Sequence, residues 1–269
     1  MPEQSEKGLE VDRSALGGIG LALTGIALGL YLDGGRIGQM LQPTAALIVL
    51  GGTCGAVIVQ FPWAVVWQAL KQLKGVFLGV KDPASQLLED LVRYAVRARR
   101  NGLVSLDGEL ELIQDPFLRR SLTLAVDGTR SAELRNTMEL EMDAASHRED
   151  LLPKVFEAAG GYAPTIGIIG AVIGLIQVMQ RLENINEVGK GIAVAFVATL
   201  YGVGIANILF LPCAGRIKLR VHRNQVLREM IVEGVLAILD NTNPTALQAK
   251  LSVYLIGPAA KERLKLAAR

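Results

Sequence analysis

The chain has 269 residues, of which 51% are hydrophobic and 29 are glycine, and its mean hydropathy is +0.35. This composition is typical of closely packed membrane helices, whereas a net charge of +2 identifies no partner by itself and gives no sign of nucleic-acid binding. The two cysteines, Cys54 and Cys213, both fall within apolar stretches. They exclude a disulfide scaffold and are interpreted as small buried side chains.

Four stretches carry no Asp, Glu, Lys or Arg and are long enough to cross a bilayer, since about 20 residues of helix span its hydrocarbon core. They are residues 14–32, 37–70, 158–180 and 191–215. The sequence therefore predicts four membrane spans. Because no span holds a charged side chain, any titrating group that moves an ion through this protein must come from a partner.

The basic residues near the span ends predict the orientation in the membrane by the positive-inside rule. They follow the second and the fourth spans and are Lys71, Lys74 and Lys81, then Arg216, Lys218, Arg220 and Arg223. Both termini and the middle segment are therefore predicted to be cytoplasmic. The N-terminus lacks the basic region and cleavage site of a secretory signal, so the first span is predicted to remain as an anchor.

The predicted organisation follows from these spans in chain order. It consists of a cytoplasmic N-terminus (1–13), a first transmembrane hairpin (14–63, with spans near 14–32 and 43–63), a cytoplasmic helical domain (64–159), a second transmembrane hairpin (160–215, with spans near 162–180 and 191–213) and cytoplasmic C-terminal helices (216–269). In the middle domain, the pairs Asp82-Pro83 and Asp115-Pro116 predict two helix starts, and Gly102 and Gly128 predict the ends of these helices. No stretch has the two-residue period that indicates a strand.

Sequence patterns for catalysis and metal binding are absent. No phosphate-binding loop or nucleophile elbow occurs, and Gly202 and Gly204 lie inside a span, where a dinucleotide fingerprint has no meaning. His147 and His222 are isolated from any Cys or second His at metal-ligand spacing and are interpreted as surface residues. The sequence predicts a protein that is not an enzyme.

Small residues recur at every fourth position of the third and fourth spans and predict that helix backbones approach closely there. They are Ala163, Gly167 and Ala171, then Gly170 and Gly174 on a neighbouring face, and Ala198, Gly202 and Ala206 in the fourth span. The pattern fits packing within the chain as well as it fits contact with partner helices.

Two prolines and one threonine stand out in the same spans. Pro164 is predicted to open the third span, where a proline loses no hydrogen bond. Pro212 has helical sequence on both sides and is predicted to kink its helix and to free a carbonyl. Thr199 is the main buried hydroxyl of the fourth span, and it either bonds the carbonyl four residues back or takes part in function.

Several strings of the sequence resemble the A subunit of bacterial flagellar stators, the MotA/PomA family within the MotA/TolQ/ExbB proton channel superfamily. They are YAPTIGIIGAVIGLI, AFVATLYGVGIAN and LPCAGRIK around the last two spans, PTAALIVLGGTCGAVIVQFP in the second span, and ARRNGLVSLDGELELIQDPFLRRSLTLAVDG in the middle domain. The resemblance covers nearly the whole chain.

The resemblance implies an all-α integral membrane protein of the bacterial inner membrane, with four transmembrane helices per subunit and a helical cytoplasmic insert. It implies a ring, a pentamer, around MotB-type single-span peptidoglycan-binding subunits, each with one membrane aspartate. Such an assembly, surrounded by membrane lipid, couples the flow of an ion to flagellar rotation. It uses no cofactor, and nucleic acid is not a partner.

The resemblance also assigns candidate residues to the ion pathway and to the contact with the partner helix. Pro164, followed by Thr165, and Pro212 match the two functional prolines of the family, and Thr199 matches the threonine that faces the ion-binding aspartate. Sodium-driven members carry a threonine seven residues after the first proline. This chain has Ala171 at that position, which favours protons.

For contact with a rotor switch protein of the FliG type, the family uses one basic and one acidic residue. The string ARRNGLVSLD matches these to Arg99 and Asp107. The family usually has glutamate at the second position, so Asp107 keeps the charge on a shorter side chain. Arg97, Arg99 and Arg100 can instead offset the dipole at the end of their helix. For Arg97 this is the preferred interpretation, whereas for Arg99 the family match favours the rotor.

Three other protein classes are alternatives to a stator subunit, and each is expected to show different sequence features. The ExbB/TolQ energisers of outer-membrane processes share the ring around a dimer but have three spans, so the extra N-terminal hairpin argues against them. A substrate transporter is expected to place polar or charged groups at mid-membrane, where this chain offers Thr199, Asn207 and Gln177. A pure membrane scaffold would not explain the match at both prolines.

Overall fold

The structure is a computed structural model of the chain and describes residues 10–11, 13–35, 37–79, 82–180, 182–183 and 185–255. The helices in these residues are α1 (Arg13–Leu32), α2 (Pro43–Gln60), α3 (Trp63–Phe77), α4 (Ala84–Asn101), α5 (Asp107–Leu110), α6 (Pro116–Val126), α7 (Ser131–Glu149), α8 (Leu151–Gln180), α9 (Ile185–Ile205), α10 (Leu211–Leu239) and α11 (Pro244–Leu251). Short 3-10 turns lie at Ile37–Met40, Leu103–Leu106 and Ser252–Tyr254, and a π-helical turn at Ala206–Phe210 joins α9 to α10. The predicted all-α fold is confirmed.

An antiparallel strand pair departs from the prediction that the chain contains no strand. The strands are β1 (Glu10–Val11) and β2 (Leu78–Gly79), and they pair with Glu10 opposite Gly79. Each strand has only two residues, which is too short to leave an alternating pattern in the sequence.

Four helical runs of the described residues are long and apolar enough to cross a membrane, which confirms the predicted number of spans. They are Ser14–Leu32, Pro43–Gln60, the run Ser131–Gln180 that includes α8, and the run Val188–Leu239 that includes α9. Cys213 is buried as predicted, whereas Cys54 is exposed on α2, so the interpretation of Cys54 as a buried residue is wrong.

The residues form two compact units by their internal contacts. We name them the membrane unit (the described residues within 1–80 and 149–219) and the insert unit (the described residues within 81–148 and 220–269). The membrane unit is larger than the two predicted hairpins, because α3 packs against α8 and because α8 begins at Leu151. The positions at which the chain enters and leaves the membrane stay predictions.

The apolar stretch 37–70 contains parts of two helices rather than one. The first of them, α2, ends at Gln60, because Phe61 is extended (φ −121°, ψ 142°) and Pro62 cannot continue the helix. The next helix, α3, begins at once at Trp63. This break sets where the second span ends.

The start of α2 is held by a side chain from α9. The side chain of Gln42 makes no capping bond. Instead the hydroxyl of Tyr201 donates to the carbonyl of Met40 at 2.5 Å and accepts the backbone N–H of Gln42 at 3.3 Å. Two backbone groups near the start of α2 thus form their hydrogen bonds with a side chain of another helix. No local sequence pattern predicts this contact.

The insert unit has its own apolar core, to which α4, α6, α7, α10 and α11 contribute. Its fully buried members include Leu91, Met138, Met230 and Leu251. Asp115 caps α6 as predicted and accepts the backbone N–H of Phe117 at 2.9 Å. The helix α4 begins one residue later than predicted, with Pro83 at the cap position, and Asp82, the residue before it, accepts the backbone N–H of Ala84 at 3.1 Å. Gly102 and Gly128, both at φ +81°, follow these two helices, which also confirms the predicted ends.

Glu233 of α10 links two other helices of the insert unit by ion pairs. Arg135 of α7 lies 2.8 Å from one carboxylate oxygen, and Lys250 of α11 lies 2.5 Å from the other. The hydrogen bond from Lys250 lowers the pKa of Glu233, partial burial opposes this shift, and Arg135 adds to it. The resulting stabilisation is complete above the ordinary glutamate pKa and is lost as the pH falls through the lowered value.

Candidate functional site

Glycines bring the backbones of α8 and α9 into direct contact. A Cβ on Gly167 would lie 2.9 Å from the carbonyl oxygen of Ala198, and one on Gly174 would lie 3.0 Å from the backbone nitrogen of Ala195. A Cβ on Gly202 would overlap the carbonyl of Ala163. The predicted close approach is confirmed, and the second helix belongs to the same chain.

The neighbouring small-residue face of α8 is also covered within the chain. A Cβ on Gly170 would lie 2.9 Å from the Cβ of Ala198 and 3.4 Å from Cγ2 of Ile48 in α2. Similarly, a Cβ on Gly52 of α2 would lie 2.7 Å from Cγ2 of Ile166. The helices α2, α8 and α9 therefore pack as one group, and both small-residue faces serve contacts inside the subunit.

Pro164 lies well inside α8, so the prediction that it opens a helix is wrong. The helix already begins at Leu151, because the run that precedes the span is helical as well. In this position the proline cannot donate to the carbonyl of Gly160, four residues earlier. The helix therefore carries a carbonyl at Gly160 without its usual α-helical partner, next to the start of the close α8–α9 contact.

The other ion-pathway candidates are half-buried or exposed in the isolated subunit. The hydroxyl of Thr199 is half-buried and donates to the carbonyl of Ala195 at 3.4 Å, which is a long bond. Thr165 is exposed and donates to the carbonyl of Tyr162 at 2.8 Å, and Ala171 is half-buried. Thr199 thus makes the local bond that its sequence position allowed, but weakly, so its hydroxyl can exchange partners at little cost.

The π-helical turn Ala206–Phe210 ends two residues before Pro212. The backbone N–H of Leu211, which follows the turn, bonds the carbonyl of Ala206, five residues earlier. Pro212 has no N–H for the carbonyl four residues before it, and turns of this kind accommodate such gaps. A π turn therefore lies close to Pro212, and the predicted kink of the helix stays a prediction. Pro212 is exposed and lines a cleft of about 340 Å³ between α1, α3 and the start of α10.

Thr53 is a buried polar residue of the membrane unit that no sequence pattern indicated. It lies on the buried side of α2 with Ala45, Val49 and Val57, and it is 1% exposed. Its hydroxyl has no hydrogen-bond partner among the described residues. A single threonine in an apolar helix gives no sequence signal for this, because such a hydroxyl usually bonds its own helix.

Arg99 and Asp107 lie close in sequence on the surface of the insert unit. Both are exposed, and neither side chain forms an ion pair or hydrogen bond with the described part of the chain. Arg97, by contrast, pairs with Glu109, which ties the end of α4 to α5. The predicted role of Arg97 is to offset the helix dipole, and the structure gives it instead a carboxylate partner within the insert unit.

Two exposed apolar side chains lie close in sequence to Arg99 and Asp107. Val104 is 73% exposed and Leu112 is 78% exposed, on the segment that follows α4. The described residues contain no group of three or more His, Cys, Asp or Glu that could hold a metal ion. The surface therefore offers free charges and apolar contacts, which suits recognition of another protein.

Residues 109–230 match the MotA/TolQ/ExbB proton channel family, and residues 16–102 match the motility protein A N-terminal family. The chain is 36% identical to motility protein A of Bacillus subtilis over 96% of this chain and 94% of that protein. It is 31% identical to the chemotaxis protein PomA of Vibrio alginolyticus over 89% of this chain and 92% of that protein.

Solved structures give the same similarity over the whole fold. A chain of the flagellar MotAB stator complex from Bacillus subtilis superimposes with a TM-score of 0.85 and 36% identity, covering 95% of this chain and all of that one. A chain of C. jejuni MotAB gives a TM-score of 0.87 at 30% identity, covering 92% and 98%.

Proposed function

Since the chain belongs to the motility protein A family, within the MotA/TolQ/ExbB proton channel family, we propose that it works as the torque-generating A subunit of a bacterial flagellar stator. The observation that carries this function is the match to motility protein A along almost the entire chain, including both hairpins and the insert. Like its structural neighbours, the protein is a multi-pass inner-membrane subunit that assembles with a MotB-type partner.

The absence of charged residues from the four apolar stretches supports a division of labour between the two subunits. A bare carboxylate is costly in the membrane, so the aspartate of the partner must be neutralised by an ion or solvated by the lining that this chain provides. Neutralisation changes which position in the ring the partner helix prefers. Cyclic binding and release of the ion would thus step a ring, here a pentamer, around the partner.

The ExbB/TolQ alternative is not favoured. Residues 16–102 match the motility protein A N-terminal family, and this region contains two predicted spans, which gives the chain one span more than three-span energisers have. Co-expression with a MotB-type subunit tests the stator function: the pair should co-purify and should restore swimming to a strain without its own stator. Co-purification with an energiser partner instead, without any gain in motility, would contradict it.

The orientation in the membrane follows from the basic residues after the second and fourth spans. We place both termini, the middle domain and its contact with a FliG-type rotor protein on the cytoplasmic side. A protease site inserted at the exposed turn of Asp127 and Gly128 should be cut in inverted membrane vesicles and protected in spheroplasts. Cleavage in spheroplasts would reverse the orientation.

The translocated ion is proposed to be the proton, because Ala171 stands where sodium-driven relatives carry a threonine. Swimming speed should therefore be indifferent to the sodium concentration at a fixed proton-motive force, and a protonophore should abolish it. A saturating rise of swimming speed with sodium would show that the assignment is wrong.

Thr199 and the two prolines are proposed to act at the contact with the partner helix. Thr199→Val keeps the shape of the side chain and removes the hydroxyl, so ion flux through the complex should fall while the amount of complex stays unchanged. Pro164→Leu and Pro212→Leu should likewise give complexes that assemble and work poorly. Loss of all three variants from the membrane would instead assign these residues to folding.

A further inference from the structure

The helix α3 has two different apolar faces. One face is buried in the membrane unit and includes Val66 and Ala69. The other consists of Trp63, Trp67, Leu70 and Lys71, which we name the α3 stripe. Their spacing of three or four residues places them on one side of the helix, and all four are exposed, the two tryptophans by 60% and 51%.

The side chains of the α3 stripe are arranged with their apolar parts together and a cation at one end. The two indole rings stack, with centroids 6.4 Å apart and an angle of 22° between the ring planes. The ammonium group of Lys71 lies 5.9 Å from the centroid of the Trp67 ring, within the range of a cation–π contact. The cation is thus held beside the aromatic pair.

The α3 stripe continues an exposed apolar surface of α2. The span α2 exposes Ile58 and Val59 near its end, and α3 begins three residues after Gln60. Because α3 begins so soon after a predicted span, its first turns are expected to lie where the hydrocarbon core gives way to headgroups. Tryptophan is enriched at this depth, and lysine there attracts anionic lipid.

We propose that the α3 stripe binds the headgroups of anionic phospholipids at this membrane surface. The indoles would occupy the boundary between acyl chains and headgroups, and Lys71 would contact a lipid phosphate. A second copy of the chain fits this surface less well, because lysine is depleted from the centres of protein interfaces. The inference requires only that the chain lies in a membrane, so it stands apart from the role as a stator.

The chain offers a direct probe, because Trp63 and Trp67 are its only tryptophans. The full-length protein with its partner is reconstituted in vesicles of phosphatidylcholine and phosphatidylglycerol in which one lipid at a time is brominated. Bromine quenches indole fluorescence on contact. The variant with Trp63→Phe and Trp67→Phe supplies the background from the partner, and the ratio of quenching by the two lipids gives their relative binding at the α3 stripe.

Lipid brominated near the glycerol end of the acyl chain should quench the fluorescence more than lipid brominated near the chain end. Phosphatidylglycerol should be preferred, and Lys71→Gln should reduce this preference about fivefold, the effect expected for one lysine at an anionic surface. Lys71→Arg should retain the preference. Lys154→Gln, which removes another exposed lysine of the membrane unit, should not change it.

Two outcomes would overturn the proposal. If no brominated lipid quenches the tryptophans, protein covers the α3 stripe in the assembled complex. If Lys71→Gln leaves the lipid preference unchanged, the surface contacts lipid but does not recognise its charge. A defect in motility has no bearing on either outcome, so the proposal can fail while the stator function stands.

Discussion

Gly202→Ala is expected to force α8 and α9 apart. The added methyl group would overlap the carbonyl of Ala163, and it would lie 3.1 Å from the Cα of Gly167. Both obstacles are backbone atoms, which cannot move aside as a flexible side chain can. Overpacking of this kind costs about 1–3 kcal/mol. Thermal unfolding of the solubilised complex should shift to lower temperature, and less protein should accumulate in the membrane.

Gly204→Ala is the matched control for this prediction. It makes the same chemical change two residues along the same helix, at a position where no atom lies within 4 Å of the added carbon. Both variants gain the same intrinsic helix propensity, about 1 kcal/mol per residue. The difference between them therefore isolates the helix contact. Equal unfolding temperatures for the two variants would mean that α8 and α9 do not pack this closely.

Arg99→Glu is expected to give the largest loss of motility among single changes on the insert unit. Exposed ion pairs contribute only about 0–1 kcal/mol and are screened by salt, so Arg99→Gln should merely reduce swimming. The reversal adds repulsion to the loss of attraction. Because Arg99 is exposed and its side chain forms no ion pair or hydrogen bond with the described residues, accumulation of the protein and ion flux should stay intact.

Arg97→Gln separates this role from a structural one. Arg97 pairs with Glu109, so its loss should lower the unfolding temperature of the protein as well as motility. For Arg99→Glu, a reversed charge on the rotor protein should partly restore swimming. If Arg99→Glu prevents accumulation, or if no reversal on the rotor rescues it, Arg99 supports the insert unit and does not touch the rotor.

Local chemistry explains which features of the fold could be predicted from the sequence. Asp115 followed by a proline is a local signal for a helix start, and Gly128 is a local signal for a helix end, so both limits of α6 were predictable. The position of Pro164 inside α8 was not. A proline is compatible with the first turn of a helix and also with its interior, and only the packing of the preceding residues decides between them.

The candidate site was predictable to the extent that it depends on periodicity. The recurrence of Gly167 and Gly202 with small neighbours indicated a close helix contact, but it could not say whether the second helix came from the same chain. The bond from Tyr201 to Met40 joins positions 161 residues apart and follows from the tertiary arrangement alone. The same holds for Thr53, because the missing partner of a hydroxyl is a property of the surrounding helices.

The π-helical turn at Ala206–Phe210 determines where the chain can lose one residue without rotating the helices on either side. Such a turn holds one residue more than an α-helix needs, and the extra residue bulges while the helices on either side keep their facing. Deleting one residue here should convert the bulge to regular helix and leave Thr199 and Ile217 pointing as they do now. A deletion elsewhere in α9 would turn every later side chain by about 100°. Insertions and deletions among relatives should therefore concentrate at this turn.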